Sequence, residues 1–106
     1  ELDGRRIAVL GDMLELGEFE ERGHRMVGAR AAQVAAELVT VGERARWIAD
    51  EAARSGLSAS RISAVADSAA ATDLLRARIG AGDVVLIKGS RGMHMDAIIA
   101  GLEEAG

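Results

Sequence analysis

Four short apolar runs, separated by segments with helical spacing, most constrain what this chain can fold into. The runs cover residues 7–10, 38–41, 62–66 and 84–87. The first and the last are continuous rather than alternating, which is typical of strands that are covered on both faces. The alternation of these runs with helical segments therefore predicts a buried sheet with helices on both of its sides.

Apolar residues recur at helical spacing between the runs and after the last one. The four stripes are Val27, Ala31 and Val34; Ala45, Ile48, Ala49 and Ala52; Ala71, Leu74 and Leu75; and Met95, Ile98, Ile99 and Leu102. Asp67 or Ser68 is placed to cap the third helix. Because strand-helix-strand units cross over with a right hand, this order predicts a three-layer α/β/α, Rossmann-like fold with a mostly parallel sheet.

Length and composition limit the class of protein. A chain of 106 residues forms one domain, and with only 2% aromatic residues its core is expected to be aliphatic, with Trp47 partly buried and Met26 and Met95 at the core or its margin. The net charge of −4 and the lack of a basic run with interleaved aromatics argue against nucleic acid as the main partner.

The residues that are absent restrict the chemistry and the location. The chain has no cysteine, which excludes disulfides, thiolate catalysis and cysteine metal sites within it. It has neither a signal-peptide pattern nor an apolar run near the roughly 20 residues that span a bilayer. We expect a cytoplasmic protein without membrane insertion.

Two glycine-bracketed loops are the best candidates for a functional site. Residues 11–17 (GDMLELG) follow the first run and residues 88–93 (KGSRGM) follow the last. In an open parallel sheet the ligand crevice lies beyond the carboxyl ends of the strands, so these loops are predicted to form adjacent walls of one site. The first wall is acidic and the second is basic.

The basic loop favours an anionic ligand. Lys88 and Arg91 offer a point charge and a planar fork that together bind a carboxylate, and the backbone N–H groups around Ser90, at the start of a helix, also favour an anion. The alternative is a tight turn whose basic residues are only solvated. Met93 is expected to line the same site.

The acidic loop favours a cation. Asp12 and Glu15, beside Met13, are candidates to accept hydrogen bonds from an ammonium group or to position a metal-bound nucleotide. Two solvated acids before a helix would give the same pattern. His24 is interpreted as a helix-surface or interface residue rather than a catalytic base, with an orientation toward this loop as the alternative. The histidines lack metal-ligand spacing, and no P-loop is present.

These motifs resemble the C-terminal domain of the Mur ligases. The resemblance rests on residues 7–17, on His24 in the following helix and on residues 83–93, and extends from Arg6 to Glu103. Within the family the two loops are most similar to the branch that adds D-alanyl-D-alanine to UDP-N-acetylmuramoyl-tripeptide. Related ligases that add a single amino acid differ in both loops.

The resemblance implies a three-domain cytoplasmic enzyme of peptidoglycan synthesis, with residues 1–106 as its C-terminal, substrate-binding domain. ATP and Mg²⁺ would be bound mainly by the central domain, and the two loops would border the dipeptide site. Residue roles follow from charge: Lys88 and Arg91 toward the dipeptide carboxylate, and Asp12 toward its amine. The partners implied are the N-terminal and central domains, the nucleotide-linked tripeptide and D-alanyl-D-alanine.

The chain also departs from the family pattern. An acidic, Asn-rich, Pro-containing strand end and a helix, which open the domain and help hold ATP, are missing, as are the other two domains. We therefore expect the chain to be inactive alone and its sheet to lack a first strand and helix. The alternatives are a related Mur-type amino-acid ligase and a small flavodoxin-like binding or regulatory module.

Overall fold

A computed structural model describes residues 4–105, apart from the side chains at positions 91, 104 and 105. Strands and helices alternate along this part of the chain as predicted, and each strand bound lies within one residue of the corresponding apolar run. The elements are β1 (Arg6–Gly11), α1 (Glu20–Val34), β2 (Glu37–Val41), α2 (Arg46–Arg54), β3 (Ile62–Val65), α3 (Ser68–Arg78), β4 (Val84–Lys88) and α4 (Asp96–Ala105). Short 3-10 turns lie at Gly17–Phe19, Ala59–Arg61 and Arg91–Met93.

The four strands form one parallel sheet in the order β3-β2-β1-β4. The chain runs from β1 outward through β2 to β3, and then returns to place β4 on the other side of β1. The strand order therefore reverses between β1 and β4, and a crevice at the carboxyl ends of these two strands is where open α/β sheets bind ligands.

Two aliphatic clusters cover the sheet, one on each face. The cluster beneath α1 and α2 contains Ala8, Leu10, Ala31, Leu38, Ala45, Ile48 and Ala52. The cluster beneath α3 and α4 contains Ile7, Val9, Val39, Val41, Ala71, Leu75, Met95 and Ile98. This arrangement confirms the predicted three-layer α/β fold. None of the described helices is long and apolar enough to cross a lipid bilayer.

The continuous apolar run of β4 predicts that both faces of this strand are covered, but one face is exposed. Val84 and Leu86 are 48% and 55% exposed, because α1 and α2 lie over β1 and β2 and leave this side of β4 uncovered. Among residues 4–105, β4 pairs with β1 alone. In the described part of the chain, β4 is thus an uncovered strand at the edge of the sheet.

Three further residues expected in the core are exposed. Val34 ends α1, Ile99 lies beside the open edge of β4, and Met26 is on the outer side of α1. Periodicity identifies the apolar side of a helix but not how far the sheet extends beneath it.

The predicted cap of α3 is confirmed, since the Asp67 carboxylate accepts the N–H of Ala70 at 2.9 Å. Trp47 is half-buried, as expected.

Helices α1 and α2 approach so closely at Gly28 that no side chain fits there. A Cβ built on Gly28 would overlap the carbonyl oxygen of Ile48 and lie 3.1 Å from Cβ of Glu51. Because the obstacle is helix backbone, a side chain at this position can be accommodated only by moving one helix relative to the other.

We expect Gly28→Ala to destabilise the fold by about 1–3 kcal/mol, the usual cost of overpacking a core. Gly23→Ala in the same helix is the matched control, because its Cβ would meet only the flexible end of Leu16 at 3.0 Å. The control should be neutral or stabilising by up to about 1 kcal/mol, since Ala favours helix over Gly. Urea unfolding measures both, and equal stabilities would contradict the prediction.

Arg5 and Asp83 join the start of β1 to the turn before β4. The backbone N–H of Arg5 donates to Asp83 Oδ1 at 2.8 Å, and its guanidinium donates to Asp83 Oδ2 at 2.9 Å. Gly80 N–H donates to the same carboxylate at 2.9 Å, and Arg5 also pairs with Glu37 of β2. The hydrogen bond from the Arg5 side chain, together with the backbone donors, holds the pKa of Asp83 well below its usual range.

The Asp83 contribution should be lost in acid. The pKa of Asp83 is depressed in the folded state. The stabilisation by the ionised Asp83 carboxylate is therefore complete above the unfolded-state pKa of about 3.9 and declines as the pH falls below that value. We expect Asp83→Asn to be less stable at neutral pH and to show a flatter acid decline. Urea unfolding midpoints of the wild type and Asp83→Asn, measured from neutral pH into acid, test this. Asp73→Asn, at an exposed position of α3, is the control. Identical acid slopes for the wild type and Asp83→Asn would refute it.

Candidate functional site

The loops that follow β1 and β4 are adjacent, as predicted. Leu10 and Lys88 are register partners at the ends of the two strands. Beyond them, the Ser90 N–H donates to the Asp12 carbonyl oxygen at 3.0 Å, and the Leu14 N–H donates to Ser90 Oγ at 2.7 Å. We call residues 11–17 the acidic loop and residues 88–93 the basic loop. Ser90 thus fixes the two loops to each other through its backbone and its hydroxyl.

Asp12 is buried, at 3% exposure, and its carboxylate is directed toward the segment that follows β2. Oδ1 accepts the N–H of Ala45 at 2.7 Å, and Oδ2 lies 3.5 Å from Nη1 of Arg44. The Asp12 N–H donates to the Val41 carbonyl oxygen at 3.2 Å. The charge of Asp12 predicts a contact with a ligand amine, whereas in the structure both carboxylate oxygens have partners within the chain.

The segment after β2 is the third loop at this end of the sheet, and it turns at Gly42. Gly42 has φ +109°, a conformation that L-residues rarely adopt. A Cβ there would lie 2.5 Å from Asp12 Oδ1 and 2.7 Å from Met93 Cε. Gly42 therefore marks where the acidic loop, the basic loop and the turn after β2 meet.

Arg44 and Glu20 complete this junction, and the sequence analysis missed both. Arg44 Nε donates to the Glu20 carboxylate while its Nη1 faces Asp12. The hydrogen bond to Glu20, followed by its charge, raises the pKa of the Arg44 guanidinium above its ordinary value. The available signal was position, since Arg44 lies just beyond the carboxyl end of a central strand.

His24 is fully buried, so its interpretation as a surface residue is wrong and the alternative orientation toward the acidic loop is confirmed. Its Nε2 accepts the N–H of Met13 at 2.9 Å, and its Nδ1 lies 2.6 Å from the carbonyl oxygen of Glu20. The Trp47 ring packs against it at a centroid distance of 5.8 Å and an angle of 58°.

The remaining candidate residues lie closer to solvent. Lys88 and Glu15 are exposed, and Met13, Ser90 and Met93 are half-buried. The side chain of Arg91 falls outside the described residues. Within the described part of the chain, Lys88 forms no ion pair with a carboxylate, so its charge is available to a ligand.

A cavity of about 530 Å³ opens between the basic loop and the start of α4. Met13, Lys88 and Ser90 line it, as does Asp96, which the sequence analysis did not single out. This volume lies within the range of small-molecule sites. The cavity places one positive and one negative side chain beside apolar surface, a combination suited to a small zwitterion.

Backbone strain is concentrated in and beside the two loops. Glu15 has φ +67° and His94 has φ +54°, and they are the non-glycine residues with positive φ in the described chain. Each such conformation costs roughly 1–2 kcal/mol for an L-residue. Residues kept in this region are held there by their surroundings, and they cluster at functional sites.

The described residues contain no group of three or more His, Asp or Glu side chains placed to hold a metal ion. The cavity beside the basic loop is characterised by apolar walls and by the exposed charges of Lys88 and Asp96, with Glu15 exposed on the acidic loop.

Comparison with proteins of known sequence finds two informative relatives. The UDP-N-acetylmuramoyl-tripeptide–D-alanyl-D-alanine ligase of Bacillus subtilis is 34% identical over 103 residues, covering 96% of this chain and 22% of the relative. The enzyme of the same name from Mycobacterium leprae is 39% identical over 97 residues, covering 89% of this chain and 19% of the relative. The chain thus spans about a fifth of the length of these relatives.

Solved structures agree. MurF from Acinetobacter baumannii superposes with a TM-score of 0.80 at 30% identity, covering 96% of this chain and 23% of that protein. MurF ligase from Thermotoga maritima, determined in complex with ADP, gives 0.75 at 26% identity, covering 98% and 23%. The family described as "Mur ligase, glutamate ligase domain" matches residues 1–91. The chain therefore belongs to the Mur ligase family, as its glutamate ligase domain.

Proposed function

We propose that residues 1–106 are the C-terminal, substrate-binding domain of a three-domain ligase that joins D-alanyl-D-alanine to UDP-N-acetylmuramoyl-tripeptide in the cytoplasm. One observation carries this proposal: the two loops on which the resemblance to this branch rests follow adjacent strands, at the switch point of the sheet. The similarity to UDP-N-acetylmuramoyl-tripeptide–D-alanyl-D-alanine ligases extends over about nine-tenths of the chain and supports the same assignment.

The reaction proceeds in two steps. ATP transfers its terminal phosphoryl group to the free carboxylate of the tripeptide, which yields an acyl phosphate and ADP. The dipeptide amine then attacks the acyl carbon, the bond from that carbon to the phosphate oxygen breaks, and the nitrogen loses a proton as phosphate departs. Mg²⁺ and most contacts to ATP are assigned to the central domain, as the family resemblance implies.

The share of this domain is to hold the dipeptide. Lys88, with Arg91 beside it in sequence, faces the dipeptide carboxylate and neutralises it. Glu15 supplies negative charge toward the amine. Met13, Ser90 and Met93 border the dipeptide, and the frame around them fixes the amine for attack, because orientation of the two reactants accounts for much of the rate of such a step. Asp12 belongs to this frame rather than to the ligand contacts.

Loss of the Lys88 charge should weaken dipeptide binding. A charge-assisted hydrogen bond contributes about 1.5–3 kcal/mol, so Lys88→Ala in the complete ligase should raise the KM for D-alanyl-D-alanine roughly tenfold to a hundredfold. Steady-state kinetics measure this. D-alanyl-D-alanine amide, which lacks the carboxylate, should bind the wild type and Lys88→Ala about equally.

Arg61→Ala is the matched control for Lys88→Ala. It removes one positive charge from the opposite end of the sheet, beside the start of β3, and should leave the KM unchanged. An unaltered KM in Lys88→Ala would reject the assignment. A wild-type preference for a single amino acid over the dipeptide would instead favour a related Mur-type ligase.

Asp12 and Glu15 should separate into a framework residue and a contact residue. Asp12→Asn weakens a buried network and should cost about 1–3 kcal/mol of stability, whereas Glu15→Gln on the surface should cost less than about 0.5 kcal/mol and raise the dipeptide KM. Urea unfolding of the chain and kinetics of the complete ligase measure the two effects. If Asp12→Asn retained full stability and raised the KM, Asp12 would instead be a contact residue for the dipeptide amine.

A further inference from the structure

The surroundings of His24 determine its protonation state. A backbone N–H can only donate a hydrogen bond and a carbonyl oxygen can only accept one. Nε2 accepts from Met13 N–H at 2.9 Å, so it carries a lone pair. Nδ1, which lies 2.6 Å from the Glu20 carbonyl oxygen, therefore carries the proton. The hydrogen bonds assign a neutral ring in the Nδ1–H tautomer.

His24 is also part of a closed circuit of polar contacts. Glu20, whose carbonyl oxygen His24 binds, also pairs through its carboxylate with Arg44. Arg44 in turn faces the carboxylate of Asp12, which directly precedes Met13 in the chain. The circuit thus returns to the acidic loop, and it connects this loop to α1 and to the segment before α2.

Two consecutive amides of the acidic loop are held from opposite sides. The Met13 N–H binds His24 of α1, and the Leu14 N–H binds Ser90 Oγ of the basic loop. The next residue, Glu15, has the strained φ of +67°. The two hydrogen bonds therefore fix the backbone of the acidic loop between Met13, which lines the cavity, and Glu15.

We propose that His24 is a positioning residue for the dipeptide site: its unprotonated Nε2 holds the Met13 amide and so fixes the acidic loop against the cavity. The positioning role rests on the proposed ligase function, whereas the tautomer and the hydrogen bonds do not. His24 does not touch the substrate, since it lies fully buried behind the loop.

Two amide variants separate the two ring nitrogens in the complete ligase. In His24→Gln the side-chain carbonyl reaches the position of Nε2 and can accept the Met13 N–H. In His24→Asn the amide nitrogen reaches the position of Nδ1 and still donates to Glu20, but nothing accepts from Met13. We expect His24→Asn to raise the KM for D-alanyl-D-alanine about tenfold to a hundredfold, and His24→Gln to restore it to within about threefold of the wild type.

Trp47→Phe is the control for packing. It alters the ring that contacts His24 but neither of the hydrogen bonds, so it should lower thermal stability without changing the KM. If the role of His24 were merely structural, His24→Asn and His24→Gln would have the same KM and would differ only in stability. Equal KM values for the two variants would overturn the positioning role.

A spectroscopic measurement tests the hydrogen bonds without reference to activity. In ligase labelled with ¹⁵N-histidine, the His24 signals, identified by their loss in His24→Asn, should show a protonated Nδ1 and an unprotonated Nε2. A proton on Nε2 would overturn the inference. If the wild type fails to use D-alanyl-D-alanine, the proposed function and the positioning role fall, while the nitrogen spectrum still decides whether His24 holds the loop.

Discussion

The buried carboxylate of Asp12 is the constraint on which the functional end of this domain depends. Removing an ionised carboxylate from water costs several kcal/mol unless its oxygens find partners. Here the partners are the Ala45 N–H at 2.7 Å and the guanidinium of Arg44. The turn after β2 must therefore lie against the end of β1, and this approach leaves no room for a side chain at Gly42.

That constraint divides the polar residues of the crevice into two kinds. Asp12 and His24 are buried and form hydrogen bonds within the chain, whereas Lys88 and Glu15 lie exposed at the rim. A frame that keeps its own polar groups satisfied holds the rim charges in place without competing for the ligand. Such preorganisation suits the proposed reaction, because an acyl phosphate must meet the incoming amine before water reaches it.

The fold could be predicted from the sequence because its determinants are local. A buried parallel strand requires a continuous apolar run, and the runs at 7–10 and 38–41 fall within β1 and β2. Coverage was not predictable in the same way. Val84 and Leu86 belong to an equally apolar run, yet they are exposed, since their burial depends on how far the neighbouring helices extend rather than on their own periodicity.

The site was predictable to the level of loops but not of atoms. Parallel strands align their carboxyl ends, so polar loops after two adjacent strands must converge, and those after β1 and β4 do. The role of each loop residue depends on partners distant in sequence: Asp12 meets Arg44, 32 residues away, and the Met13 N–H meets His24, 11 residues away. A carboxylate that binds a ligand and one that fixes a turn have the same sequence signature. The three-dimensional contacts separate them, because the Asp12 carboxylate is buried and bonded to donors of the chain itself, whereas Glu15 is exposed to solvent.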